Sequence, residues 1–113
     1  MDLIHKKCKP CEGGIPKLNS SEVKYYNSQL NPSWIVIDDL KIVCDFSFKS
    51  YFETIGFVNK IAEIAESEGH HPVMHVFFSK VQIELWTHAI LGLSENDFIL
   101  AAKINERYLS QKS

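Results

Sequence analysis

The sequence predicts an α+β fold in the order α-β-β-α-β-β-α, a four-stranded antiparallel sheet with helices packed on one face. Three observations lead there. A small polar residue followed three positions later by an acidic one stands at Asn19 and Glu22, Ser50 and Glu53, and Ser94 and Asp97, and each pair opens a run with helical periodicity. Two pairs of strand-like runs fill the gaps between these helices. Each pair is joined by a short connection, so it forms a hairpin with antiparallel strands. The helices are then left to cover one face of the sheet.

Residues 1–18 carry Pro10, Gly13, Gly14 and Pro16 and read as a loop or extended arm. A short helix follows over 20–30, ended by Asn31 and Pro32. Trp34, Ile35, Val36 and Ile37 form a strand, and Asp38 and Asp39 a turn. From Lys41 the chain alternates, with Ile42, Cys44, Phe46 and Phe48 on one side and Val43, Asp45, Ser47 and Lys49 on the other. The second helix runs to about Glu68 with Phe52, Ile55, Val58, Asn59, Ala62 and Ala65 at helical spacing, and Gly69 stops it. After His70, His71 and Pro72, a third strand is expected over 73–78. A fourth is defined by Val81, Ile83 and Leu85, with Ser79 and Lys80 near the turn. Gly92 opens a loop, and the last helix carries Phe98, Ala101, Ala102 and Ile104 to about Ser110.

The 113 residues make one domain, with 45% apolar and 23% charged residues. So short a chain buries a modest fraction of its surface, which favours self-association. A net charge of −2 without a Lys or Arg run argues against a nucleic-acid surface. No secretory signal or membrane span is expected. Three cysteines, an odd number, read as reduced thiols of a cytoplasmic protein.

Four of the five histidines lie between His70 and His88. Histidine's unperturbed pKa, ~6.5, is the side-chain value nearest neutrality, so such a cluster suits proton transfer at cell pH. Pro72 restricts the backbone beside His70 and His71. His88 ends the fourth strand, and the open end of the second hairpin brings it back beside them. A plainer account makes adjacent loop histidines solvated polar residues. Glu66, one turn before His70, is placed to orient a histidine, and equally reads as a solvated helix carboxylate. Asp97 has its capping role, and Trp34 and Trp86 read as core or interface aromatics. No metal site is expected. His71 and His75 are four residues apart on a strand, ~13 Å, too far to share an ion. Cys8 and Cys11 lack the second pair that a zinc ribbon needs.

The run Glu66, His70-His71-Pro72, Phe78, His88 and Asp97 resembles, in residue types and gaps, the signature of the pterin-4a-carbinolamine dehydratases. Cys11-Glu-Gly-Gly-Ile-Pro resembles the amino-terminal arm of bacterial members. Trp34, the stretch from Phe46 to Phe52, Thr87-His88 and the stretch from Gly92 to Asp97 also fit. The resemblance covers essentially the whole chain. It implies the same α+β fold and dehydration of 4a-hydroxytetrahydrobiopterin, made by aromatic amino-acid hydroxylases, to quinonoid dihydropterin. It implies no metal or organic cofactor and a homodimer or homotetramer. The family's active-site histidines fall on His70, His71 and His88, its acidic positions on Glu66 and Asp97, and pterin-lining positions on Pro72 and Thr87. On this basis His70 and His88 share the acid and base roles, and His71 binds the pterin. Two departures stand near the expected pocket: Val73 and Met74, where many members carry an acidic residue and a tryptophan, and Trp86, at a position usually smaller. Some members instead promote dimerisation of a transcription factor, which makes a protein-interaction module the alternative function.

Overall fold

A computed structural model describes residues 2–10 and 14–112. Its elements are α1 (Ser20–Ser28), β1 (Ile35–Ile37), β2 (Lys41–Ser47), α2 (Tyr51–Glu68), β3 (Val73–Val76), β4 (Lys80–Leu85) and α3 (Glu95–Lys112), with single 3-10 turns at Leu3–His5 and His88–Ile90. The four strands form one sheet in the order β1-β2-β4-β3, and every neighbouring pair is antiparallel. The predicted fold class and element order are therefore those of the structure.

The local signals act as expected. Asn19 accepts the Glu22 amide while the Glu22 carboxylate accepts the Asn19 amide, a complete capping box. Ser50 caps α2 through its hydroxyl, which accepts the Glu53 amide at 3.1 Å. Gly69 ends α2 with φ +68°, a left-handed conformation that glycine takes without a Cβ penalty. Asp38 and Asp39 both have positive φ in the turn that the Leu40 amide closes on the Ile37 carbonyl, and Ile37 faces Lys41 across this three-residue connection.

Strand alternation sorts the sheet into two faces. Ile42, Phe46, Val81, Ile83 and Leu85 are buried beneath the helices, whereas Ile35, Asp45 and His75 on the opposite face are exposed. Phe46, Phe48, Phe57 and Tyr108 pack ring on ring between sheet, α2 and α3. Trp34 is buried and donates its indole N–H to Asn105, whose amide in turn donates to the Pro32 carbonyl.

Three expectations need correction. The buried stripe of α2 is Thr54, Phe57, Ile61 and Ala65, not the one through Phe52, Ile55 and Ala62, and Phe52 is 89% exposed. Helix α2 is apolar on more than one side, and packing on the sheet selects the face. β3 stops at Val76, because the Phe77 amide turns back to the Lys80 carbonyl. β4 stops at Leu85, so His88 lies beyond it in the 3-10 turn.

The arm is pinned to α2 and α3. Lys9 and Asn96 exchange two hydrogen bonds, the Cys8 amide donates to Glu68, and Lys6 meets Glu95 at 2.8 Å. Cys8 and Cys44 are free thiols, and burial first of all pushes them up to about 12 and about 11. Cys11 lies outside the described residues. Among those residues no helix is long and apolar enough to cross a membrane.

Candidate active site

The left-handed turn at Gly69 swings the chain off α2 and delivers His70 inward and His71 outward. His70 is 6% exposed, and its Nε2 lies 2.6 Å from Asp97 Oδ1. The other carboxylate oxygen of Asp97 accepts the Thr87 hydroxyl at 2.8 Å and the Ser94 amide at 2.9 Å. Thr87 and Ser94 hydroxyls meet at 2.7 Å. Asp97 thus keeps the capping role read from its spacing and also holds a histidine from another element. All four groups are buried, where a polar network is favourable only when its members are paired.

His71 is exposed and pairs with Glu66 at 2.5 Å across the end of α2. Glu66 therefore orients His71 rather than His70. Pro72, half-buried, leads into β3.

His88 opens the 3-10 turn after β4. A bridge between Thr87 and Gly92 closes the loop, and the Leu91 amide returns to the His88 carbonyl at 3.2 Å. A Cβ on Gly92 would lie 2.5 Å from the Lys17 side chain, so the arm presses on this loop as well. The His88 ring is exposed and packs on Trp86, with centroids 4.6 Å apart.

The structure therefore joins His70, Asp97 and Thr87 in one network, with His88 one residue beyond Thr87. His71 and Glu66 form a separate surface pair. His70 is buried, whereas His71 and His88 are exposed. Sequence reasoning missed Ser94 as a partner of Thr87. It also missed the clamp on the open sheet face, where the Glu84 carboxylate takes Lys41 at 2.6 Å and His75 beside it. The register carried a signal for the clamp, since Glu84 pairs with both Val43 and Val73 and so sits between β2 and β3.

A family model described as Pterin 4 alpha carbinolamine dehydratase matches residues 16–107. The chain belongs to the pterin-4a-carbinolamine dehydratase family. A relative from Nitrosomonas europaea is 49% identical over 109 residues, covering 96% of each chain. One from Alkaliphilus metalliredigens is 47% identical over 106 residues, 94% of this chain and 96% of its own. Both carry provisional names as pterin-4-alpha-carbinolamine dehydratases. A crystal structure described as a transcriptional coactivator/pterin dehydratase from Brucella melitensis is 30% identical, with a TM-score of 0.76 over 80% of this chain and 97% of that one. A pterin dehydratase-like protein described as a RuBisCO assembly factor in the alpha-carboxysome is 29% identical, with a TM-score of 0.57 over 66% of this chain and 87% of that one.

Proposed function

We propose that this protein dehydrates 4a-hydroxytetrahydrobiopterin to quinonoid dihydropterin and water, recycling in the cytoplasm the cofactor of an aromatic amino-acid hydroxylase. The observation that carries this reading is the buried His70–Asp97 pair, in a chain of this family. The Asp97 carboxylate accepts the hydrogen bond, which keeps a ring hydrogen of His70 on Nε2. Asp97 thereby fixes both tautomer and orientation.

Dehydration needs one proton taken from N5 and one given to the hydroxyl on C4a. The C4a–O bond breaks, water leaves, and the N5 electron pair closes a C4a=N5 double bond. His70 and His88 share these acid and base roles, each worth roughly 10²–10⁴-fold. His71, held by Glu66, binds the pterin, and Pro72 and Thr87 line its site. Neither a metal nor an organic cofactor takes part.

Stopped-flow ultraviolet absorbance of 4a-hydroxytetrahydropterin decay tests the reading, with wild type beside His70→Ala. Wild type should outpace buffer and the variant should lose most of that gain. Decay at the buffer rate in both would refute it.

A second reading, a protein-interaction module such as a dimerisation cofactor of a transcription factor, is favoured by one feature. Tyr51, Phe52, Phe77 and Phe78 are all exposed, with Tyr51 stacked on Phe78. The same aromatics, beside the edge strand β3, suit a second copy of this chain in a homodimer or homotetramer. Light scattering of wild type and Phe52→Glu distinguishes these uses. A smaller particle for the variant supports self-association, and identical masses count against it.

A further inference from the structure

We propose that Trp86 is a positioning residue for His88, holding the imidazole by packing so that both ring nitrogens stay open to the reacting pterin and to water. The proposal rests on the dehydratase reading and deepens it. His5, His70, His71 and His75 each bond a carboxylate, respectively Asp2, Asp97, Glu66 and Glu84. His88 is the exception: among the described residues its ring has no hydrogen-bond or ion-pair partner, and it packs on the Trp86 ring, tilted by 44°. A carboxylate orients an imidazole by occupying one nitrogen. A neighbouring indole orients it without occupying either, and it attracts the ring in its neutral form by aromatic packing and in its cationic form by cation–π attraction.

The surroundings suit that task. Trp86 and His88 lie beyond β4 on either side of Thr87, whose backbone is extended at φ −104° and ψ 108°, and their rings meet on one side of it. Trp86 is half-buried and packs against the hydrophobic core, and with Leu40, Lys41 and Leu91 it lines a shallow depression of about 250 Å³. Leu91 takes φ +49°, a left-handed conformation unusual for so bulky a residue, to close the turn behind His88. An exposed ring on a one-turn helix would otherwise sample several rotamers, and a misplaced acid or base loses rate rather than affinity.

The test compares full-length wild type, Trp86→Leu and Trp86→Phe by kcat and KM for 4a-hydroxytetrahydropterin, with NMR of the His88 ring protons. Wild type should show an upfield ring-current displacement of those protons, weaker in Trp86→Phe and gone in Trp86→Leu. Trp86→Leu should lose roughly 10- to 100-fold in kcat with KM little changed, and Trp86→Phe should recover most of the loss. Circular dichroism should show both variants folded, because Trp86 is only half-buried. Full kcat in Trp86→Leu overturns the proposal and leaves the dehydratase reading standing. So does a rise in KM alone in both variants, which would put the indole on the pterin. A wild type no faster than buffer removes the reading and the positioning role together, whatever the ring current shows.

Discussion

His70 and His88 are held by opposite means. His70 is buried, its ring bonded to Asp97 inside a network that also ties Thr87 and Ser94 to α3. His88 stands in water on a single 3-10 turn, against an indole. The difference teaches where chemistry and stability are coupled. A buried ionisable pair cannot lose a member without leaving the other unsatisfied, whereas an exposed ring can be removed at little structural cost.

The largest effect is expected from Asp97→Ala. It strips partners from His70, Thr87 and the Ser94 amide together, and should cost about 3 kcal/mol in urea unfolding and at least roughly 10²-fold in dehydration rate. His88→Ala should match that rate loss while its unfolding free energy moves by less than about 0.5 kcal/mol. Equal destabilisation of the two variants would break the comparison. Gly69→Ala probes the turn that aims His70. Open space surrounds the added methyl, so the φ of +68° alone should lower stability, by about 1 kcal/mol in the same urea assay. Glu66→Gln touches an exposed pair, so its stability should change by under about 0.5 kcal/mol, while KM for the pterin rises as His71 loses its orientation. A fall in turnover at unchanged affinity would instead move His71 from binding to chemistry.

The smallest effect concerns the open sheet face. Lys41 and then His75, both bonded to Glu84, hold its carboxyl below the ordinary 4.5. A carboxyl lowered on folding adds stability that is whole above its unfolded value and fades as pH falls through its folded one. Wild type should therefore lose stability faster than Glu84→Gln as pH drops below 4.5. The difference should be under about 1 kcal/mol, because Lys41 and His75 are partly exposed. Parallel acid-unfolding curves would mean that this clamp adds nothing.

Much of the fold was legible because its signals are local. Asn19 with Glu22, Ser50 with Glu53, and Gly69 act through bonds within one helical turn, so the helix starts and the end of α2 could be read directly. Alternation from Ile42 to Phe46 marked the buried sheet face, since pleating sends neighbours to opposite sides whatever they pack against. The candidate site was legible only in part. Asp97 showed its capping bond, three residues long, but not its bond to His70, which spans 27 positions. Glu66 and His71 are five apart, and the turn at Gly69 chose between His70 and His71 as the partner.

The sequence by itself determined element types, their order and the hairpins, all of them consequences of propensity and spacing along the chain. Tertiary structure alone decided which stripe of α2 is buried, that β4 ends before His88, that Asp97 reaches His70, and that the Trp86 and His88 rings meet. Those outcomes depend on which surfaces meet when helices close over a sheet. A chain apolar on several sides does not specify that until the burial of one of them has been chosen.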